Sequence, residues 1–166
     1  MYGVIFLSEL VYDRAAAVAY ARRWALDRNP AYYDFEQIGG DCTNFVSQCL
    51  FAGAGVMNYT RDVGWYYRTL SDRAAAWSGV EYLYRFLISN KAAGPAAHVV
   101  PQMNAQRGDV VQLGRENGVY YHTLLLTETF PQFLVCGHSY DASDRPLASY
   151  AASRIRFLHI ETVYVK

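Results

Sequence analysis

The sequence has no excess of charge of either sign. Fifteen Lys and Arg residues stand against fifteen Asp and Glu, for a formal net charge of 0, and no basic run is present. A chain like this has no electrostatic hold on a phosphate backbone, so nucleic acid is excluded as a partner on charge grounds. Cysteine is scarce, with three residues at positions 42, 49 and 136. An odd number cannot all pair, and the spacing fits neither a zinc module nor a disulfide framework. No cofactor and no metal is expected. No apolar stretch approaches the length of a membrane span. The start, MYGVIFLSEL, lacks a basic leader region, and its apolar run is too short for a signal peptide. The chain therefore reads as soluble. If it acts outside the cell, the export route is not written in these residues.

What is present is a core. Hydrophobic residues make up 52% of the 166 residues and charged ones 18%, which sets the chain apart from disordered sequences. The length suits one domain, 1–166. Aromatics reach 16%, with fifteen tyrosines. Such rings serve sugar or peptide contacts, and more commonly cores.

Periodicity divides the chain into a helical first half and a stranded second half. Residues 11–28 repeat apolar positions at three and four, with Asp13 as N-cap and Asn29-Pro30 as the stop. A helix opens near Asp41 and ends at Gly53 and Gly55. Ser78 to Glu81 reads as a capping box before a third helix. Residues 90–106 read as a loop punctuated by Gly94-Pro95 and Pro101. From Gly108 the segments GDVVQL, VYYHTLLLTE, FLVCGHS and RIRFLHIETVYV read as four strands. Helices followed by strands imply an α+β domain with an antiparallel sheet.

The stretch GGDCTNFVSQC, residues 39–49, puts Cys42 in the first turn of the second helix. A thiol there is easier to ionise, and the thiolate is a nucleophile. Cys49 and Cys136 read as core. Asp41 reads as an N-cap, and Asp109 as a turn or strand-edge residue. A base is required, and the candidates are His122 and His138. A hairpin of 119–128 with 132–138, turning at Phe130, would place Leu124 opposite Cys136 and His122 opposite His138. Opposed residues share a face, whereas a one-residue slip would part them. With Cys42 brought to that end, Cys42 attacks, His122 exchanges the proton and pairs with the thiolate, and His138 orients His122. The Cys42 N–H is the first oxyanion donor. Gln37, Tyr33 and Tyr32 are candidates for the second, and Trp65, Tyr66 and Tyr67 for lining a substrate groove.

GGDCTNFVSQCL resembles the nucleophile motif of the papain-like amidase domains related to the NlpC/P60 and CHAP cell-wall cysteine peptidases. The closest branch is the amidase one, in which DCTNFVSQ stands almost letter for letter. WYY at 65–67, RGDVVQL at 107–113, YHTLLLTE at 121–128 and GHSYD at 137–141 follow in order, so the resemblance runs over about residues 11–160. Two features depart from the broader pattern. Asn44 stands where a glycine is usual, and the upstream oxyanion tyrosine has no clear counterpart. The resemblance implies a papain-like fold with the nucleophile helix packed on the C-terminal sheet. It carries the catalytic roles onto Cys42, His122 and His138. It also implies a bacterial or phage hydrolase that cuts an amide of peptidoglycan through a thioester. Other readings are a wall-peptide-binding module without activity, an acyltransferase or transglutaminase using the same residues, and a metal enzyme built on His122, Cys136 and His138. The implied partner is peptidoglycan or a peptide.

Overall fold

The computed structural model describes residues 7–165; most of the apolar start, residues 1–6, lies outside them. The chain is α+β. The elements are β1 (Ser8–Leu10), α1 (Arg14–Trp24), α2 (Cys42–Ala54), α3 (Ala75–Ser78), α4 (Val80–Ser89), β2 (Gly94–Val100), β3 (Val110–Gly114), β4 (Tyr120–Glu128), β5 (Leu134–Gly137), β6 (Ala142–Pro146) and β7 (Arg154–Val165). All pairings are antiparallel. The seven-stranded sheet runs β1-β7-β3-β4-β5-β6, with β2 also on β7. Among the described residues no helix is long and apolar enough to cross a membrane.

The four expected strands form, and three more join them. One is β2, in the segment read as a loop. Its Ala-rich sequence has weak strand propensity, and pairing along the twelve-residue β7 stabilises it. Ser78 does not cap α4: its Oγ accepts from Arg73 Nε, while Glu81 pairs with Arg156. Asp13 does cap α1, accepting the Ala16 N–H at 2.9 Å.

The apolar run Leu124-Leu125-Leu126 explains itself in the sheet. Successive strand residues point to opposite faces, and here both faces are covered. Leu125, Val110, Cys136 and Leu158 pack with α2 through Phe45, Val46, Cys49 and Leu50. Leu124, Leu126, Val111, Leu113, Val135, Leu147 and Phe157 form a second core on the far face.

Eleven of the thirteen residues of α2 are buried, polar ones included. Each buried polar residue has its own partner, as a buried polar group requires. Thr43 bonds Thr123 at 3.0 Å. Asn44 reaches the Tyr33 carbonyl, the Asp41 carboxylate and Trp77 Nε1. Ser47 bonds the Trp77 carbonyl and Trp65 Nε1, and Gln48 accepts from Tyr20. The letters of DCTNFVSQ are thus fixed by packing as well as by chemistry. Gly55 closes the helix in the left-handed conformation, φ 70°, with its N–H on the Phe51 carbonyl.

Candidate active site

Cys42 is the first helical residue of α2 and is 8% exposed. Its sulfur meets the sheet at the edge of β4. Strand β5 stops at Gly137, opposite the end of its register with Leu125 and Leu126. The Thr123 N–H, which points to the β5 side, is left without a strand partner and donates to the Cys42 sulfur instead.

Two further donors come from Thr43, its N–H and its hydroxyl, the latter 3.7 Å away. The hydroxyl direction follows from a chain of partners. Gln112 Oε1 accepts from Arg156, which turns Gln112 Nε2 toward the Val80 carbonyl and Thr123 Oγ1. An amide NH₂ only donates, so the Thr123 proton is directed to Thr43 Oγ1, and the Thr43 proton to the sulfur. These donors favour a thiolate. Burial opposes it more strongly and raises the Cys42 pKa, with a smaller upward push from the Asp41 charge.

His122 is 7% exposed and shares the far face with Leu113 and Leu124. Its ring lies 6.5 Å from that of Tyr121 and 6.2 Å from that of Tyr150. Among the described residues its ring nitrogens have no hydrogen-bond partner, and neither is sealed from solvent. Burial lowers its pKa from 6.5 to about 4, and the nearby Arg145 guanidinium adds to the fall. Both directions favour a neutral thiol and a neutral imidazole near pH 7. The expected thiolate–imidazolium pair does not fit these directions.

The hairpin register differs from the expected one. Leu125, not Leu124, lies opposite Cys136, because the turn is longer and a bulge intervenes between Leu126 and Glu128. That single-residue slip parts the two histidines. His138 falls on the α2 side and is 1% exposed, its ring stacked on Phe45 at 4.1 Å. Its Nδ1 lies 2.5 Å from Asp41 Oδ2, and its Nε2 lies 2.8 Å from the Trp24 carbonyl. Both nitrogens lie within hydrogen-bond range of oxygen atoms. His138 thus joins the C-terminus of α1 to the start of α2, and it does not orient His122. Asp41 is no N-cap. Its Oδ1 accepts from the Phe35 N–H and from Asn44 Nδ2. The same slip divides His122 from Cys136 and His138, so the metal constellation of those three is not assembled.

The remaining candidates are dispersed. Trp65 is fully buried against Trp77 and Phe86 and lines no groove. Tyr66 packs on Tyr59. Tyr33 is 41% exposed, and its backbone serves Tyr67 and Asn44. Gln37 is exposed in the turn before Asp41. Cys49 and Cys136 are core, as expected. Asp109 lies between the turn at Arg107-Gly108 and the start of β3, as expected, and it is buried there, holding Arg14 at 2.6 Å and His159 at 3.0 Å as a structural hub. Sequence reasoning passed over Thr43 and Thr123, whose partnership needs the packed helix, and over Arg145 and Tyr150, which lie in segments without a motif.

Comparison with known proteins gives a family. The family described as "Putative amidase domain" matches residues 11–160. An uncharacterized protein of Bacillus subtilis (strain 168), YhbB, is 35% identical over 118 residues, covering 69% of this chain and 37% of the relative. The chain therefore spans well under half the length of that protein. No solved structure matches the chain.

Proposed function

Since the chain belongs to the "Putative amidase domain" family, we propose that it is a cysteine hydrolase of amide bonds with a Cys42–His122 dyad in a papain-like arrangement. The observation that carries this reading is the position of the sulfur. It sits at the open edge of β4, against the backbone of the residue after His122, where no strand separates the two faces. On this reading His122 must reach the sulfur around that edge, and among the described residues its ring nitrogens have no hydrogen-bond partner that would hold them elsewhere.

The chemistry then starts from the neutral pair. As Cys42 sulfur attacks the carbonyl carbon, its proton passes to His122, and charge develops on the carbonyl oxygen. The Cys42 N–H, at the N-terminus of α2, meets that oxygen. The imidazolium gives its proton to the amide nitrogen, the C–N bond breaks, and a thioester remains. Water, deprotonated by His122, attacks the thioester. A carboxylate is released and the sulfur regains its proton. The three donors around the sulfur stabilise it when it leaves as thiolate. His138 and Asp41 serve this site by fixing the start of α2, the position of a third residue in a triad but not its task.

The motif resemblance makes peptidoglycan the substrate of choice. Digestion of purified wall followed by mass spectrometry tests this. A free muramic lactyl carboxylate with a free L-Ala amine identifies an amidase; a new amine within the stem identifies an endopeptidase. Cys42→Ala should release neither. Wall digested as fast by Cys42→Ala as by the parent would end the reading.

A further inference from the structure

Beside His122 lies a cation without a partner. Arg14, Arg22, Arg28, Arg61, Arg68, Arg85, Arg107 and Arg156 each meet a carboxylate; Arg145, like Arg23, Arg73, Arg115 and Arg154, meets none among the described residues. It is half-buried and directed at a defined place. Arg145 stands opposite Val135, so it shares the face of His122, Leu124 and Leu126.

Its backbone setting is strained. The preceding residue, Asp144, holds a left-handed φ of 47° at a bulge between Val135 and Gly137. Three contacts secure it there: the Asp144 carboxylate accepts from Thr127 at 2.5 Å and from Arg22 at 2.9 Å, and the Asp144 N–H donates to Cys136 sulfur. Bulges and strained residues re-aim side chains near reactive sites, and this one aims a guanidinium.

The guanidinium is itself preorganised. Its carbon lies 4.1 Å over the ring of Tyr150, and Nε donates to Ser149 Oγ at 2.8 Å. Nη2 has only a 3.4 Å contact with the Ser149 carbonyl, and Nη1 has no partner. The two terminal nitrogens thus remain for a planar, two-pronged acceptor. Tyr150 also lines a cleft of about 320 Å³ with Phe133, Leu147, Gln102, Gln132 and Ile155. Its hydroxyl is buried beside the Arg145 guanidinium and has no other hydrogen-bond partner among the described residues.

We propose that Arg145, stacked on Tyr150, binds a carboxylate carried by the substrate close to the scissile amide, so that the preferred substrate is an acidic peptide. The proposal rests on Cys42 and His122 as the reacting pair and adds the chemical class of what they act on.

Binding is measured apart from turnover. Cys42→Ala protein is titrated calorimetrically with N-acetylated peptides that differ only by Glu or Gln beside the candidate bond. Glu and Gln share a shape, so their ratio reads the charge alone. The Glu peptide should bind at least tenfold more tightly. The preference should shrink toward one in Cys42→Ala with Arg145→Gln, persist in part with Arg145→Lys, and fall as salt rises from 20 to 500 mM, by about the extent screening allows. The salt series needs no second variant, so it stands even if Arg145→Gln fails to fold. Equal affinity for the two peptides, or a Glu preference that survives the loss of Arg145, overturns the proposal. Wall hydrolysis that persists in Cys42→Ala strikes the nucleophile assignment instead, and leaves the binding comparison as readable as before.

Discussion

Asp41 Oδ2 and His138 Nδ1 stand 2.5 Å apart, each residue 1% exposed, directly behind the residue that carries the sulfur. The carboxylate sits where the N-terminal dipole of α2 favours negative charge, and the ring where the C-terminal dipole of α1 favours positive charge. Arg28 approaches Asp41 to 3.8 Å and also takes the Asp141 carboxylate at 3.0 Å. One buried pair thus joins two helix ends to the turn after β5.

Breaking that pair leaves a buried polar group without its closest partner. His138→Ala should destabilise the fold by about 1–3 kcal/mol, read as a lower urea midpoint. Asp41→Asn should cost a comparable amount. The double variant should cost less than the two single losses together, since the second change removes the stranded group. Simple additivity would show that the two residues do not act as a unit.

The Cys42 thiol is raised chiefly by burial, so alkylation by iodoacetamide should be slow near pH 7. It should keep rising with pH beyond 9, read by mass spectrometry of the peptide that carries residue 42. A plateau near neutrality would mean a preformed thiolate. Thr43→Val removes a donor from the sulfur and strands the Thr123 proton. A hydrogen bond to a charged group is worth about 1.5–3 kcal/mol, so kcat/KM should fall about tenfold to a hundredfold, and Thr43→Ser should recover most of it.

His122 contributes a pH-dependent penalty. Its pKa in the folded chain is about 4, against 6.5 as the ordinary value. The unfolded chain therefore takes up the proton first as pH falls. The folded state loses stability between pH 6.5 and 4, by about 3 kcal/mol in all, and nothing above that window. His122→Gln should flatten this part of the stability curve while abolishing turnover. An unchanged acid slope in that variant would mean that His122 titrates normally.

The sequence makes some of this visible and hides the rest for identifiable reasons. Cys42 at a helix start was legible, because Gly39-Gly40-Asp41 followed by helical periodicity marks an N-terminus. The strands β3, β4, β5 and β7 were legible through their β-branched and aromatic residues. Strand β2 was not, because Ala96 and Ala97 carry little strand preference and β7 supplies the pairing. Whether His122 and His138 are partners is not legible, because it depends on the turn length and on the bulge after Leu126, and period-two alternation turns a one-residue error into the opposite face. Arg145 left no trace in the pattern, because its aim depends on the bulge at Asp144. Local preference writes helix starts and apolar strands. Register and bulges are settled by closure of the sheet, and these decide which polar side chains meet.

Gly53 offers a test of the helix pairing on which the site stands. An interior helical glycine replaced by alanine ordinarily gains about 1 kcal/mol, through lower chain entropy in the unfolded state and better propensity. Here the sign should reverse. A Cβ on Gly53 would stand 2.4 Å from the Tyr12 ring and 2.7 Å from the Asp13 carbonyl oxygen. The ring cannot swing freely, since the Tyr12 hydroxyl donates to the Gly108 carbonyl at 3.0 Å. Nor can the carbonyl, because Asp13 also donates its N–H to Gly53 O at 2.9 Å and caps α1. Gly53→Ala must therefore push α1 away from α2, at a cost of about 1–3 kcal/mol for overpacking. The displacement acts at the far end of α2 from Cys42. Thermal unfolding should show a lower midpoint for Gly53→Ala, while activity measured well below it stays near the parent's. A raised midpoint would mean that the two helices do not pack as described.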